Sequence, residues 1–298
     1  MTADSGRLTE HRIDGVRDFD AAQTFECGQC FRWTREYNGS YTGVVRGYFA
    51  NISYNNEEDA VIIWSDYMPK SERLRDRFWR DYLDLDRDYA AIKRTLSEND
   101  PVMEAAIEAG RGIRILNQEP WETLISFLIS QNNNIPRISG CIETLCGAFG
   151  TKIGRFEDRD FFAFPTVKQL AERGERELDI CKLGYRTRYL AETARQVDID
   201  GGSLLATGEK IETEKIESYL RSLSGVGLKV AHCVMLFSMK KTELFPIDVW
   251  MRRVMHKLYG MEEDDEAAMR AFARERFREY GGVAQQYLFH YIRTESIQ

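Results

Sequence analysis

The spacing of apolar residues changes partway along this chain, and that change restricts the fold more than any other feature. From Gln29 to about Ser65, the runs Phe31 and Trp33, Tyr41 to Val45, Phe49 to Tyr54 and Val61 to Trp64 are rich in β-branched and aromatic residues. Asn38-Gly39, Arg46-Gly47 and Asn55-Asn56 separate them as turns, the first being a strong hairpin signal. After about Ser71 the spacing lengthens from two to roughly 3.6, as in Leu74, Phe78 and Tyr82 and again in Tyr89, Ile92 and Leu96. The expectation is an α+β protein: an antiparallel sheet with flanking helices over residues 1–100, then a helical region over 101–298. Asp100-Pro101 has the form of a helix start, Thr166 with Gln169 has capping-box spacing, and Pro120, Pro136 and Pro246 stand where new helices can begin.

With 298 residues, 43% of them hydrophobic, the chain can bury a sizeable core. No apolar run reaches membrane-spanning length and the first residues lack the pattern of a leader, so a cytoplasmic location with no membrane partner is expected. The six cysteines, Cys27, Cys30, Cys141, Cys146, Cys181 and Cys233, are scattered, which favours free thiols over a disulfide framework. Cys27 and Cys30 form a C-x-x-C, but neither the other cysteines nor His11, His232, His256 and His290 supply a second pair for zinc. The net charge of -7 argues against an indiscriminate nucleic-acid binder while allowing a local basic face. Lys182, Arg186, Arg188 and Arg195 form one basic group and Arg252, Arg253, His256 and Lys257 another; either is equally readable as a solvated helix face.

Between two helical segments stands Leu223-Ser224-Gly225-Val226-Gly227-Leu228-Lys229-Val230-Ala231. Gly225 and Gly227 permit a tight turn and expose successive backbone N–H groups at a helix N-terminus, a nest suited to phosphate, although an ordinary interhelical turn reads the same way. Lys229 falls in the first turn of that helix, where the helix dipole disfavours a cation. It is readable as an amine nucleophile toward a sugar carbon, or as a phosphate contact. Downstream, Phe245-Pro246-Ile247-Asp248-Val249-Trp250 sets a lone acid among apolar residues at another helix start. Asp248 fits an N-cap, and it fits equally a carboxylate that stabilises positive charge developing on a deoxyribose.

Together these segments resemble the 8-oxoguanine glycosylase branch of the helix-hairpin-helix glycosylase superfamily, and the resemblance covers most of the chain. Leu223 to Ala231 is similar to the family hairpin with its catalytic lysine at Lys229, and Pro246-Ile247-Asp248-Val249 to the segment carrying the catalytic aspartate at Asp248. Ser130-Gln131-Asn132-Asn133-Asn134-Ile135-Pro136-Arg137-Ile138 resembles the branch's asparagine-rich segment, and Leu183-Gly184-Tyr185-Arg186-Thr187-Arg188-Tyr189 its wedge loop. The resemblance implies that Asn132, Arg137 and Arg186 hydrogen-bond the cytosine orphaned when the damaged base is extruded, with Tyr185 inserted beside it. Gly28-Gln29-Cys30-Phe31-Arg32-Trp33 matches a motif in which the glycine carbonyl, here that of Gly28, accepts the N7 proton that distinguishes 8-oxoguanine from guanine. Ala284-Gln285-Gln286-Tyr287-Leu288-Phe289 is similar to the pocket wall, where Gln285 meets the Watson–Crick edge and Phe289 stacks on the flipped base; Cys233, one turn after Lys229, lines the other side.

Three positions depart from the pattern. Trp250 stands where eukaryotic members carry histidine, Cys30 replaces a serine, and His232 occupies a position expected to be acidic. They point to a divergent prokaryotic member, acting at the nucleoid. The endonuclease III and adenine-glycosylase branches carry four cysteines after the aspartate to hold an iron-sulfur cluster. This chain has none beyond Cys233, so no such cluster is expected. The alkylated-base branch usually lacks the lysine.

The resemblance implies a TATA-binding-protein-like sheet domain followed by an all-helical region. It also implies excision of 8-oxoguanine from double-stranded DNA by a monomer, preferably opposite cytosine, with strand cleavage through a Lys229 Schiff base. No cofactor is required, though the hairpin carbonyls could hold a monovalent cation. A glycosylase for another damaged base, or a DNA-binding module without chemistry, are the alternatives.

Overall fold

A computed structural model describes residues 8–156 and 158–295. Five strands form one antiparallel sheet in the order β1-β5-β4-β3-β2: β1 Thr9–Ile13, β2 Trp33–Arg35, β3 Tyr41–Val45, β4 Tyr48–Asn55 and β5 Ala60–Ser65. The central strands lie where the apolar runs put them, and Arg46-Gly47 closes the β3–β4 turn with Val45 opposite Tyr48. The edge strand β1 lies outside the expected meander. Its pattern is short, burying only His11 and Ile13, and its hydrogen bonds come from β5, with Thr9 opposite Ser65 and Ile13 opposite Val61.

Helices fill most of the remainder, starting at several of the expected stops. Asp100, Asn134 and Thr166 each cap a helix through the side chain, and Pro101, Pro120 and Pro136 sit in first turns. The region is not wholly helical: β6 Lys152–Phe156 and β7 Arg159–Phe162 pair as a hairpin. Nothing in this short, charged stretch announces strands; tertiary contact with the first sheet supports it. Phe156 and Phe161 both pack on Phe49, each with ring centroids 5.0 Å apart, and Arg159 pairs with Glu36.

Two apolar cores result, and they do not divide the chain at one position. The sheet core gathers Ile13, Tyr41, Ile52, Ile63, Trp79 and, from the far side of the first helices, Leu116. The helical core takes Cys27 and Phe31 from the N-terminal segment, and the whole apolar face of helix Tyr89–Ser97. No helix among the described residues is long and apolar enough to cross a membrane.

Arg32 ties the two cores together. Its buried guanidinium lies 3.2 Å from Glu143 and 3.7 Å from Glu122, and donates to the Phe162 carbonyl at 2.6 Å. Burial pushes the Glu122 carboxyl up to about 7, with Arg32 opposing and Glu119 and Glu143 adding to the rise. The folded protein therefore retains a proton that the unfolded chain releases near 4.5, and this group's contribution to stability is lost as pH rises from about 4.5 to 7. Glu122→Gln is expected to flatten that slope: melting temperatures measured between pH 5 and 8 should shift in favour of the variant as pH rises. Parallel curves would refute the assignment.

Candidate active site

Helices Thr213–Ser222 and Leu228–Met239 form the expected hairpin. Gly225 has φ +74°, and a Cβ there would lie 2.5 Å from Cγ of Tyr189. Gly227, at φ -84°, faces open space. Neither glycine N–H has a hydrogen-bond partner among the described residues. The turn is braced from outside by helix Arg186–Asp198: Gln196 accepts from the Ser224 N–H at 2.8 Å, and Thr193 donates to the Ser224 carbonyl at 2.8 Å. His232, the residue in place of an acid, bridges the two hairpin helices at 3.0 Å from Glu217.

These facts separate the two glycines. Gly225→Ala adds a ring clash to a left-handed backbone and should cost about 1–3 kcal/mol in urea unfolding. Gly227→Ala should cost less than about 1 kcal/mol yet weaken duplex binding, because its methyl would occupy the side from which a phosphate reaches the free amides. Equal stability of the two variants would overturn this distinction.

The hairpin opens onto a cavity of about 570 Å³, a volume suited to a small organic group such as a purine. Lys229 enters it from the second residue of its helix, with Nζ 5.2 Å from the ring centroid of Phe127. Cys233 lies one turn on, buried; burial raises its thiol above the ordinary value, opposed by the Lys229 charge, so it stands in the wall as a neutral group.

Asp248 satisfies both readings of its position. Its Oδ1 accepts from the Met251 N–H at 2.8 Å, capping helix Val249–Tyr259, and the residue also lines the cavity. Capping engages one carboxylate oxygen with the backbone and leaves the other unengaged by any hydrogen bond among the described residues.

Gly28 reaches the cavity because Gln29 anchors the loop behind it. The Gln29 amide donates to the carbonyls of Thr24 and Arg114 at 2.9 and 2.8 Å and accepts from the Leu116 N–H at 2.9 Å. Gly28 itself has φ +86°, and a Cβ there would touch Phe289 at 3.4 Å. Beside it, helix Gly281–Glu295 contributes Gln285 and Phe289, and the Gln285 Oε1 is buried without a partner among the described residues.

Asn132, at φ +47°, is exposed on the turn following helix Pro120–Ser130, Arg137 is exposed in the first turn of helix Ile135–Phe149, and Tyr185 is 55% exposed beside them. Arg186 stands differently from these three. It is only 4% exposed, and its guanidinium donates to the carbonyls of Gln131, Asn132 (2.8 Å) and Leu183 (3.2 Å). At the first position of helix Arg186–Asp198 it fastens the asparagine turn to the wedge loop.

The cavity thus brings together Lys229, Asp248, Gly28, Cys233, Gln285 and Phe289, while Asn132, Arg137, Tyr185 and the hairpin glycines lie outside it. Cys27, Phe127, Gln286 and Arg293 also line it and were not foreseen from the sequence. For Arg293 a signal existed: it lies four residues after Phe289, on the same helix face.

Two family models match in succession: the 8-oxoguanine DNA glycosylase N-terminal domain over residues 14–124, and the HhH-GPD superfamily of base excision DNA repair proteins over residues 125–279. The N-glycosylase/DNA lyase OGG1 of Arabidopsis thaliana is 31% identical over 89% of this chain and 75% of its own length. The chain belongs to the 8-oxoguanine DNA glycosylase family. Among solved structures, MBOgg1 in complex with a low-affinity DNA ligand is 38% identical with a TM-score of 0.89, over 97% of this chain and 96% of that one. The Clostridium acetobutylicum 8-oxoguanine glycosylase/lyase, solved with double-stranded DNA containing cytosine opposite 8-oxoG, is 36% identical with a TM-score of 0.88, over 97% and 98%. In this glycosylase Trp250, the departure from histidine, stands 48% exposed at the cavity with the Arg253 guanidinium 5.3 Å from its ring centroid.

Proposed function

We propose that this glycosylase removes 8-oxoguanine from duplex DNA and then cuts the strand through a Schiff base on Lys229, with preference for cytosine opposite the lesion. The observation that carries this reading is the convergence of Lys229, Asp248, Gly28, Gln285 and Phe289, from four separate segments, on one cavity. The flipped base stacks on Phe289, presents its Watson–Crick edge to Gln285, and donates its N7 proton to the Gly28 carbonyl. Guanine has no proton there and meets acceptor with acceptor. The free N–H groups of the hairpin turn hold the backbone phosphate.

The amine of Lys229 attacks C1′ while the C1′–N9 bond breaks, and the electron pair leaves with the base. Asp248 stabilises the positive charge on the sugar, and the proton released from the new C–N centre neutralises the base. The remaining electron pair of the Lys229 nitrogen then expels O4′, which takes up a proton from water, and the opened sugar is held as the Schiff base. Loss of a C2′ proton then expels the 3′ phosphate. A monovalent cation at the hairpin would find one free acceptor among the described residues, the Val226 carbonyl, since those of Leu223, Ser224 and Gly225 each accept a hydrogen bond. No step above depends on it.

The test is borohydride trapping on a duplex with 8-oxoguanine opposite cytosine, where a covalent adduct and a nicked strand are expected. Adducts with a different lesion alone would mean another substrate; binding with no excision would mean a module without chemistry. For the opposite base, Asn132 and Arg137 are the exposed donors, with Arg186 as their brace. Arg137→Ala is expected to reduce the ratio of excision rates opposite cytosine and adenine by about tenfold, from the ~1–3 kcal/mol a base-edge contact confers. A wild-type ratio near one would remove the preference.

A further inference from the structure

The last helix carries a second polar group into the base cavity. At 100° per residue, Gln285, Phe289, Arg293 and Gln286 occupy one continuous arc of Gly281–Glu295, and all four line the cavity. The Arg293 guanidinium carbon lies 5.5 Å from the ring centroid of Phe289. Its Nη1 lies 3.7 Å from the point where a side chain on Gly28 would begin. Arg293 forms no ion pair and no side-chain hydrogen bond among the described residues, in a chain where most arginines are matched to an acid or a carbonyl. Beside it, the buried Oε1 atoms of both Gln285 and Gln286 lack partners among the described residues. Buried polar groups without partners mark a wall shaped for a polar ligand.

We propose that Arg293 is a catalytic residue of base excision, donating to a carbonyl oxygen of the damaged purine next to the N7–H read by Gly28. This rests on the base-binding reading above. In 8-oxoguanine the exocyclic oxygens O6 and O8 flank N7, so a donor adjacent to the N7 acceptor meets one of them. When C1′–N9 breaks, the electron pair goes to the base and conjugation spreads its charge onto those oxygens. The hydrogen bond from the guanidinium strengthens as that charge develops and lowers the barrier to departure. The proton from the Lys229–C1′ adduct then neutralises N9, and the purine leaves as a neutral molecule.

Cleavage of a preformed abasic site uses the same lysine with no base in the cavity, and so isolates the effect. Single-turnover rates would be measured for wild type, Arg293→Ala and Arg293→Lys on duplexes carrying 8-oxoguanine or an abasic site. The ratio of excision to abasic cleavage is expected to fall on the order of 10²-fold in Arg293→Ala, and to recover in part in Arg293→Lys. An unchanged ratio, or an equal fall of both rates, overturns the proposal, the latter by showing a structural role. If wild type cleaves abasic sites but leaves 8-oxoguanine in place, the base-binding reading itself has failed and this inference falls with it.

Discussion

Lys229→Gln should abolish borohydride trapping and lower single-turnover excision on the order of 10³-fold or more, the largest effect expected from any single change in this protein. Glutamine is one bond shorter and keeps a polar end, but the electron pair of its amide nitrogen is delocalised into the carbonyl and does not attack C1′. Its effect on stability should be neutral or favourable. Lys229 is the second residue of helix Leu228–Met239, where a positive charge faces the positive end of the helix dipole, and removing it relieves an interaction worth about 0.3–1 kcal/mol. A natural residue that opposes its local electrostatics is a mark of function over stability. A variant that melts at or above the wild-type temperature, binds duplex and does not react is the expected result. Retained trapping would show that another amine is the nucleophile.

Asp248 allows its two roles to be measured apart. Asparagine is about as good an N-cap as aspartate, so Asp248→Asn should keep the bond from the Met251 N–H and the melting temperature, yet lose about 10²- to 10³-fold in excision for want of the negative charge. Asp248→Ala should lose the same activity and in addition about 1 kcal/mol of stability. If Asp248→Asn excises at the wild-type rate, the carboxylate is only a cap. If asparagine and alanine are equally destabilising, the cap contributes nothing beyond its charge.

Each of these residues shows how local and functional readings coexist. Asp248 has the sequence context of a helix cap and is one; the cavity behind it, built from Gly28, Phe127 and the last helix, is what makes a cap available for chemistry. Arg186 shows the reverse. Its place in the wedge loop suggested an outward donor, but the backbone carbonyls of Gln131 and Asn132, more than fifty residues earlier in the chain, turned it inward.

The sequence by itself determined the class of the fold, four of the five strands of the first sheet, most helix starts and the hairpin, because residue periodicity, capping chemistry and glycine geometry act over a few positions and are legible wherever they occur. The six groups that converge on the cavity were legible through the resemblance of their motifs to a known family. Tertiary structure alone decided the edge strand β1, the β6–β7 hairpin, the burial of Arg186 and the entry of Arg293 into the base cavity. In each the deciding partner is distant in the chain: β5 for the edge strand, Phe49 for the hairpin, the asparagine turn for Arg186, and the Gly28 loop for Arg293. Burial and hydrogen bonding at such sites depend on which surfaces meet, and only the packed chain specifies that.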